Sequence, residues 1–168
     1  MNNMRQATLC FLIRENQVDK ELLLAMKKKG FGQGKWNGVG GKLDLAKGDK
    51  DVFDTAIREM KEEIGVEIKK PERMAILDFS YPYLSNPEEK EWQTHIFFAK
   101  EWAGTPEESE EMTPKWFKIN GIPFNEMWPD DKYWLPRVLN GEKLKANFVF
   151  TEGEIISSHN IKIVNDFN

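Results

Sequence analysis

Apolar residues first gather in two short runs, ATLCFLI at 7–13 and ELLLAM at 21–26, separated by the polar stretch RENQVDK. Runs of that length and make-up predict two strands joined as a hairpin. From Asp51 to Ile64 the spacing changes. Phe53, Ala56, Ile57, Met60 and Ile64 recur three and four apart, as on one face of a helix, and Gly65 stands where such a helix stops. Further strands are predicted at about 73–83, 92–100 and 115–119, the last two rich in Phe and Trp, while PEEKEW and GTPEESEEMTP read as exposed acidic loops. A second helix is predicted to begin at WPDDKYW, with Asp130 or Asp131 capping its first turn, and to fade by Gly141. Alternation in the tail predicts two more strands. Strands and helices interleave without a regular βαβ repeat, so the expected class is α/β, a mixed sheet with helices on its faces. No repeat or Pro/Gly/Ser-rich linker divides residues 1–168, which read as a single domain.

The composition narrows the classes. A chain of 168 residues can bury a sizeable core. No apolar run reaches membrane-spanning length, and the opening MNNMRQATLCFLIREN lacks a small-residue cleavage site, so a cytoplasmic protein without a membrane partner is expected. Cys10 is the only cysteine, which rules out a disulfide within the chain, and His95 and His159 are too few for a zinc site. A net charge of −4 argues against binding polymeric nucleic acid, which requires many phosphates to be neutralised at once. Lys27, Lys28 and Lys29 form a local exception, either a patch for the phosphates of a small ligand or a solvated turn.

Three constellations bear on chemistry. GFGQGKWNGVGG at 30–41 holds six of the twelve glycines yet matches neither phosphate-loop spacing, GxxxxGK[ST] or GxGxxG. Such bare backbone serves either tight turns or close approach to a ligand, with Trp36 and Asn37 as its only sizeable apolar body and amide. In REMKEEIG at 58–65, helical geometry puts Glu59, Glu62 and Glu63 along one edge and turns Arg58, Lys61 and Asp54 toward solvent. Crowded carboxylates at the rim of a core call for a cation, and hard oxygen ligands suit Mg²⁺ or Mn²⁺; the alternative is a solvated acidic face. In MWPDDKYW, Trp128 offers a face for a purine and Asp130 and Asp131 can together donate and accept if one keeps a proton, or the segment is simply a helix cap.

Together these residues resemble the Nudix hydrolases, whose signature is GX5EX7REUXEEXGU, with U a bulky aliphatic residue. Arg58, Glu59, Met60, Glu62, Glu63, Gly65 and Val66 fill its second half without a break from the match that starts at Gly41. GFGQGKWNGVGGKL, ESEEM and MWPDDKYW are similar to the oxidised purine nucleoside triphosphatases within that family, the 8-oxo-dGTP-cleaving branch, over roughly Thr8 to Phe150. The chain departs in the middle: sixteen residues separate Gly41 from Arg58 where the signature has thirteen, and Asp49 is the nearest counterpart of the first Glu.

The resemblance implies an α/β/α sandwich and attack of water on a nucleoside triphosphate, giving a monophosphate and pyrophosphate. It implies Mg²⁺ (or Mn²⁺) held by the carbonyl of Gly40 and by Glu59, Glu62, Glu63 and Glu111, one of these acids serving as base. It also implies a pocket lined by Thr8, Lys27, Phe31, Asn37, Leu77, Phe79, Trp128, Asp130 and Asp131, in a monomer whose partner is a small nucleotide. Other Nudix substrates (dinucleoside polyphosphates, ADP-ribose, methylated purine triphosphates) and a non-catalytic nucleotide-binding module remain as alternatives.

Overall fold

The structure, a computed structural model, describes residues 4–168. Two strands form the predicted hairpin, β1 (Arg5–Glu15) and β2 (Lys20–Lys27), and a short β3 (Trp36–Asn37) follows the glycine-rich turn. After it come α1 (Val52–Ile64), β4 (Glu67–Lys69), β5 (Glu72–Ser80), β6 (Glu91–Ala99), β7 (Glu101–Ala103), β8 (Met112–Lys118), α2 (Asp131–Leu139), β9 (Lys143–Thr151) and β10 (Ile155–Val164). The main sheet runs β10-β9-β5-β6-β1-β2-β3, with β8 on the other edge of β2. It is mixed: β1 pairs β6 in parallel and β5 pairs β9 in parallel, and the remaining ladders are antiparallel.

Alternation along β1 explains the two layers of core. Cys10 and Leu12 face α1 and pack with Ala56, Met60, Ile64 and Phe97. Phe11 and Ile13 face the other way, toward Trp134, Leu135 and Val138 of α2. A helix therefore covers each face of the sheet, which is the expected α/β/α sandwich. Helix α1 starts where the Asp51 carboxylate accepts from the Asp54 N–H (3.0 Å) and stops at Gly65, whose φ of 73° only glycine adopts freely. Its buried stripe is narrower than predicted: Phe53 and Ile57 sit at the exposed margin, and Phe53 meets the core edge-on at Phe97, with ring centroids 4.9 Å apart. The predicted strand at 73–83 ends at Ser80, because Tyr81 turns into a loop closed by its N–H on the Lys90 carbonyl (2.8 Å). No helix among the described residues is long and apolar enough to cross a membrane.

Candidate active site

The glycine segment is a strand-like floor built on turns. Gly30, Gly32 and Gly34 adopt φ of 79°, 85° and 83°, and the turn they form brings Phe31 against Trp128 with ring centroids 5.1 Å apart. Beyond β3 the chain runs antiparallel to β1. The Cys10 N–H donates to the Val39 carbonyl (2.7 Å), the Thr8 N–H to Gly41 (2.9 Å), and the Leu43 N–H to Gln6 (2.9 Å). Alternation then turns the carbonyl of Gly40 away from β1. A Cβ on Gly40 would overlap the Thr8 carbonyl, and one on Gly41 would strike the Glu59 carboxylate. The last two glycines thus serve close approach, not turning: the acid of α1 rests on bare backbone.

The acidic edge of α1 is organised by Arg58. The prediction that Arg58 points to solvent is wrong, since its guanidinium lies over the edge and is largely buried. Its Nε and Nη2 donate to both oxygens of Asp49 (2.8 and 2.7 Å), its Nη1 to Glu59 (3.0 Å) and Glu62 (3.2 Å), and Nη2 also to the Lys42 carbonyl (3.2 Å). Asp49 further accepts from the Thr55 hydroxyl (2.9 Å) and the Asp44 N–H (3.0 Å). The Arg58 fork beside it holds the Asp49 carboxyl well below the usual carboxylate range. Asp49 thereby ties the lengthened loop to α1 through Arg58 and Thr55. Glu59 is pushed up by burial, against the pull of Arg58. Glu63 is pushed up by burial and then by the charges of Glu59, Glu111 and Glu62, and its Oε2 is buried with no hydrogen-bond partner.

The three consecutive lysines part company. Lys28 pairs with Glu108 and donates to the Ser109 carbonyl (2.8 Å), and Lys29 pairs with Glu111 (3.2 Å). These contacts clamp the acidic loop near α1. Lys27 alone of the three lines the cavity, where its charge reaches Glu63.

That cavity, of about 480 Å³, lies beside Gly40 and Gly41. Its wall includes Thr8, Lys27, Phe31, Asn37, Gly40, Phe79, Trp128, Asp130 and Asp131, nearly the whole predicted pocket. Leu77 is the exception. It is fully buried in the α2-side core, one pleat deeper than Phe79, and does not reach the wall. Asp130 and Asp131 do not cap α2 as predicted. Both are buried (3% and 2% exposed), and Asp130 instead accepts from the indole N–H of Trp134 (2.8 Å). Burial raises both carboxyls, the charge of Asp130 raises Asp131 further, and the two carboxyls contact each other directly. Asp131 Oδ2 and the Thr8 hydroxyl are buried without partners. Lys35 stands over the Trp128 ring at 5.1 Å while paired to Glu154 (2.9 Å), joining the glycine turn to the last hairpin. Sequence reasoning missed Tyr81, Tyr83 and Trp92 on the wall. Their clustering in YPY and EW was the available signal, masked by the acidic run between them.

The NUDIX domain model matches residues 3–138. The chain belongs to the Nudix family. It is 38% identical over 167 residues to the oxidized purine nucleoside triphosphate hydrolase of Mus musculus, covering 99% of this chain and all of that one. The protein of the same name from Danio rerio is 36% identical, with 95% of each chain covered. The crystal structure of the mutator MutT protein from Bacillus halodurans superposes with a TM-score of 0.74 at 24% identity, over 94% of this chain and 97% of that one, a match of fold.

Nudix hydrolases work with divalent metal ions. Among the described residues no three acidic, His or Cys side chains converge into a ready cage; Glu59 and Glu62 pair with Arg58, and Glu111 with Lys29. The donor set nevertheless fits such an ion. Glu63 has an orphaned buried oxygen and feels the charges of Glu59, Glu111 and Glu62, the Glu59 carboxylate lies against Gly41, and the Gly40 carbonyl is turned from β1. All are hard oxygen donors of the type Mg²⁺ and Mn²⁺ take.

Proposed function

We propose that the protein hydrolyses oxidised purine nucleoside triphosphates, of the 8-oxo-dGTP or 2-hydroxy-dATP type, to the monophosphate and pyrophosphate with Mg²⁺. The observation that carries this reading is one cavity whose wall joins two kinds of chemistry: Lys27, Gly40 and Gly41, the last against Glu59 of α1, and Trp128 with a buried acid pair that burial pushes toward the protonated form. The relatives from mouse and zebrafish carry the matching name.

Glu59, Glu62, Glu63, Glu111 and the Gly40 carbonyl would hold the ion. When bound, it neutralises phosphate charge and lowers the pKa of water, the main terms in such reactions. Lys27 neutralises further phosphate charge from the cavity wall. Arg58, locked on Asp49, keeps Glu59 from swinging out of the edge. One acid of the edge takes the proton of the attacking water as the bond between the α- and β-phosphates breaks. At the other end Trp128 and Phe31 supply aromatic surface for the base, and Asn37 an amide beside it. An oxidised purine gains one carbonyl and one N–H on its ring. Two carboxyls sharing a proton offer a donor and an acceptor together, and a site built on matched hydrogen bonds rejects a base that lacks them.

The test is chromatographic detection of the products formed with Mg²⁺ from 8-oxo-dGTP, 2-hydroxy-dATP, dGTP, dATP, ADP-ribose and a dinucleoside polyphosphate, with pyrophosphate expected from the triphosphates alone. The expected result is a kcat/KM for an oxidised purine triphosphate at least about tenfold above its ordinary counterpart. Higher efficiency on ADP-ribose or the dinucleoside polyphosphate would overturn the substrate assignment. Tight nucleotide binding with no turnover of any compound would favour a binding module.

A further inference from the structure

Tyr81 stands at the end of β5, on the cavity wall and outside every motif of the family signature. Its backbone is fixed at both ends of the loop: its N–H donates to the Lys90 carbonyl (2.8 Å), and its carbonyl accepts from the Leu84 N–H (3.1 Å). The ring is fixed too. It stacks on Phe150 (centroids 5.3 Å apart, planes 22° apart) and on Phe79 (6.4 Å, 23°), with Tyr83 against it edge-on (6.4 Å, 81°). Every one of those contacts is made by the ring, and a phenylalanine would make them equally well.

The hydroxyl is therefore surplus to the packing. Among the described residues it has no hydrogen-bond partner, and it lies within the field of Asp130. Asp130 already accepts from the Trp134 indole and contacts Asp131, so it does not satisfy the phenol. Burial and the Asp130 carboxyl both hold the phenol protonated far above neutral pH. The cavity wall thus carries an O–H donor on a fixed ring with no partner among the described residues, along with two buried unpartnered atoms, Thr8 Oγ1 and Asp131 Oδ2. A donor that the protein leaves free on a cavity wall is open to an acceptor on a bound ligand.

We infer that Tyr81 is a specificity-determining residue, its hydroxyl donating a hydrogen bond to the carbonyl oxygen that oxidation adds to the purine ring. This rests on the nucleotide reading above and adds to it a residue that discriminates damaged from ordinary bases. The Asp130–Asp131 pair offers only one donor when it shares one proton, so where a ring acceptor common to all purines takes that donor, the added carbonyl needs a second one. Tyr81 is the neighbouring group that supplies it.

The experiment is Tyr81→Phe, which removes one oxygen and keeps the ring. Steady-state kinetics with Mg²⁺ on two pairs, 8-oxo-dGTP with dGTP and 2-hydroxy-dATP with dATP, compare each base with and without the added oxygen. The expected result is a fall of about tenfold in the oxidised-to-ordinary ratio of kcat/KM for at least one pair, with ordinary substrates within about twofold of the parent and Tm unchanged. Ratios unchanged in both pairs, or an equal loss on all four compounds, would overturn the role of Tyr81 while leaving the parent's activity on oxidised bases standing. A parent that turns over none of the four would overturn the nucleotide reading itself and this inference with it.

Discussion

Two clusters of carboxylates sit in this molecule, one along α1 and one at the start of α2, and they are treated in opposite ways. Along α1, Asp49, Glu59 and Glu62 surround one guanidinium, which keeps Asp49 ionised and leaves Glu63 as the acid without a partner. At α2, among the described residues, Asp130 and Asp131 have no cation in hydrogen-bond contact, only neutral donors such as the Trp134 indole N–H, and burial drives both toward the protonated form. The same residue type thus yields a site short of positive charge and a site holding a proton. The first suits a metal and phosphates, the second a neutral base to be read by hydrogen bonds.

The largest effect expected of any change to this division is loss of the α1 charge. Glu63→Gln should lower kcat by on the order of 10²–10³ with Tm nearly unchanged, the scale for removing one group that stabilises transition-state charge. Undiminished turnover would remove Glu63 from the machinery. Asp49→Ala leaves Arg58 without its forked partner, and breaking a buried pair of this kind costs about 3 kcal/mol. A denaturant titration showing a loss below about 1 kcal/mol would mean that the lengthened loop does not brace the edge.

At the other cluster, Asp131→Asn should cut the preference for an oxidised over an ordinary purine by about tenfold, because an amide has its donor and acceptor on fixed atoms and cannot share a proton with Asp130. The same variant carries a pH signature. An acid whose folded pKa lies above its unfolded value near about 3.9 binds its proton more tightly in the folded state. Its stabilisation is complete below about pH 4 and is lost as pH rises through the folded value. The Tm of Asp131→Asn relative to the parent should therefore climb between about pH 5 and pH 8, and a flat difference would mean the pair is ionised in the folded protein. The smallest effect is expected at Gly41→Ala. The new methyl meets the end of the Glu59 side chain and not backbone, so kcat should fall about threefold while Tm moves little.

Much of the fold was legible because its signals are local. The period of Ala56, Met60 and Ile64, with Asp51 before and Gly65 after, defines α1 from the chain alone. Alternation placed the long strands to within a few residues. The candidate site was legible where motif and helix geometry coincide, at Glu59, Glu62 and Glu63. What escaped depends on contacts between distant segments. Helical spacing turns Arg58 outward, and only the loop that brings Asp49 across it makes that face an interior one. Leu77 and Phe79 share a strand face, and depth in the core, which no period encodes, decides that Phe79 alone reaches the cavity. The capping expectation for Asp130 failed for a similar reason, since its acceptor oxygen is taken by an indole one turn along the helix, in a buried setting the local pattern does not reveal.

The most direct test is a crystal structure of Glu63→Gln with 8-oxo-dGTP and Mg²⁺. The account predicts the purine against Trp128 with its polar edge at Asp130 and Asp131, and the triphosphate running past Lys27 to the ion at α1. A base lying outside the cavity, or an ion and indole with no bound nucleotide spanning them, would contradict it.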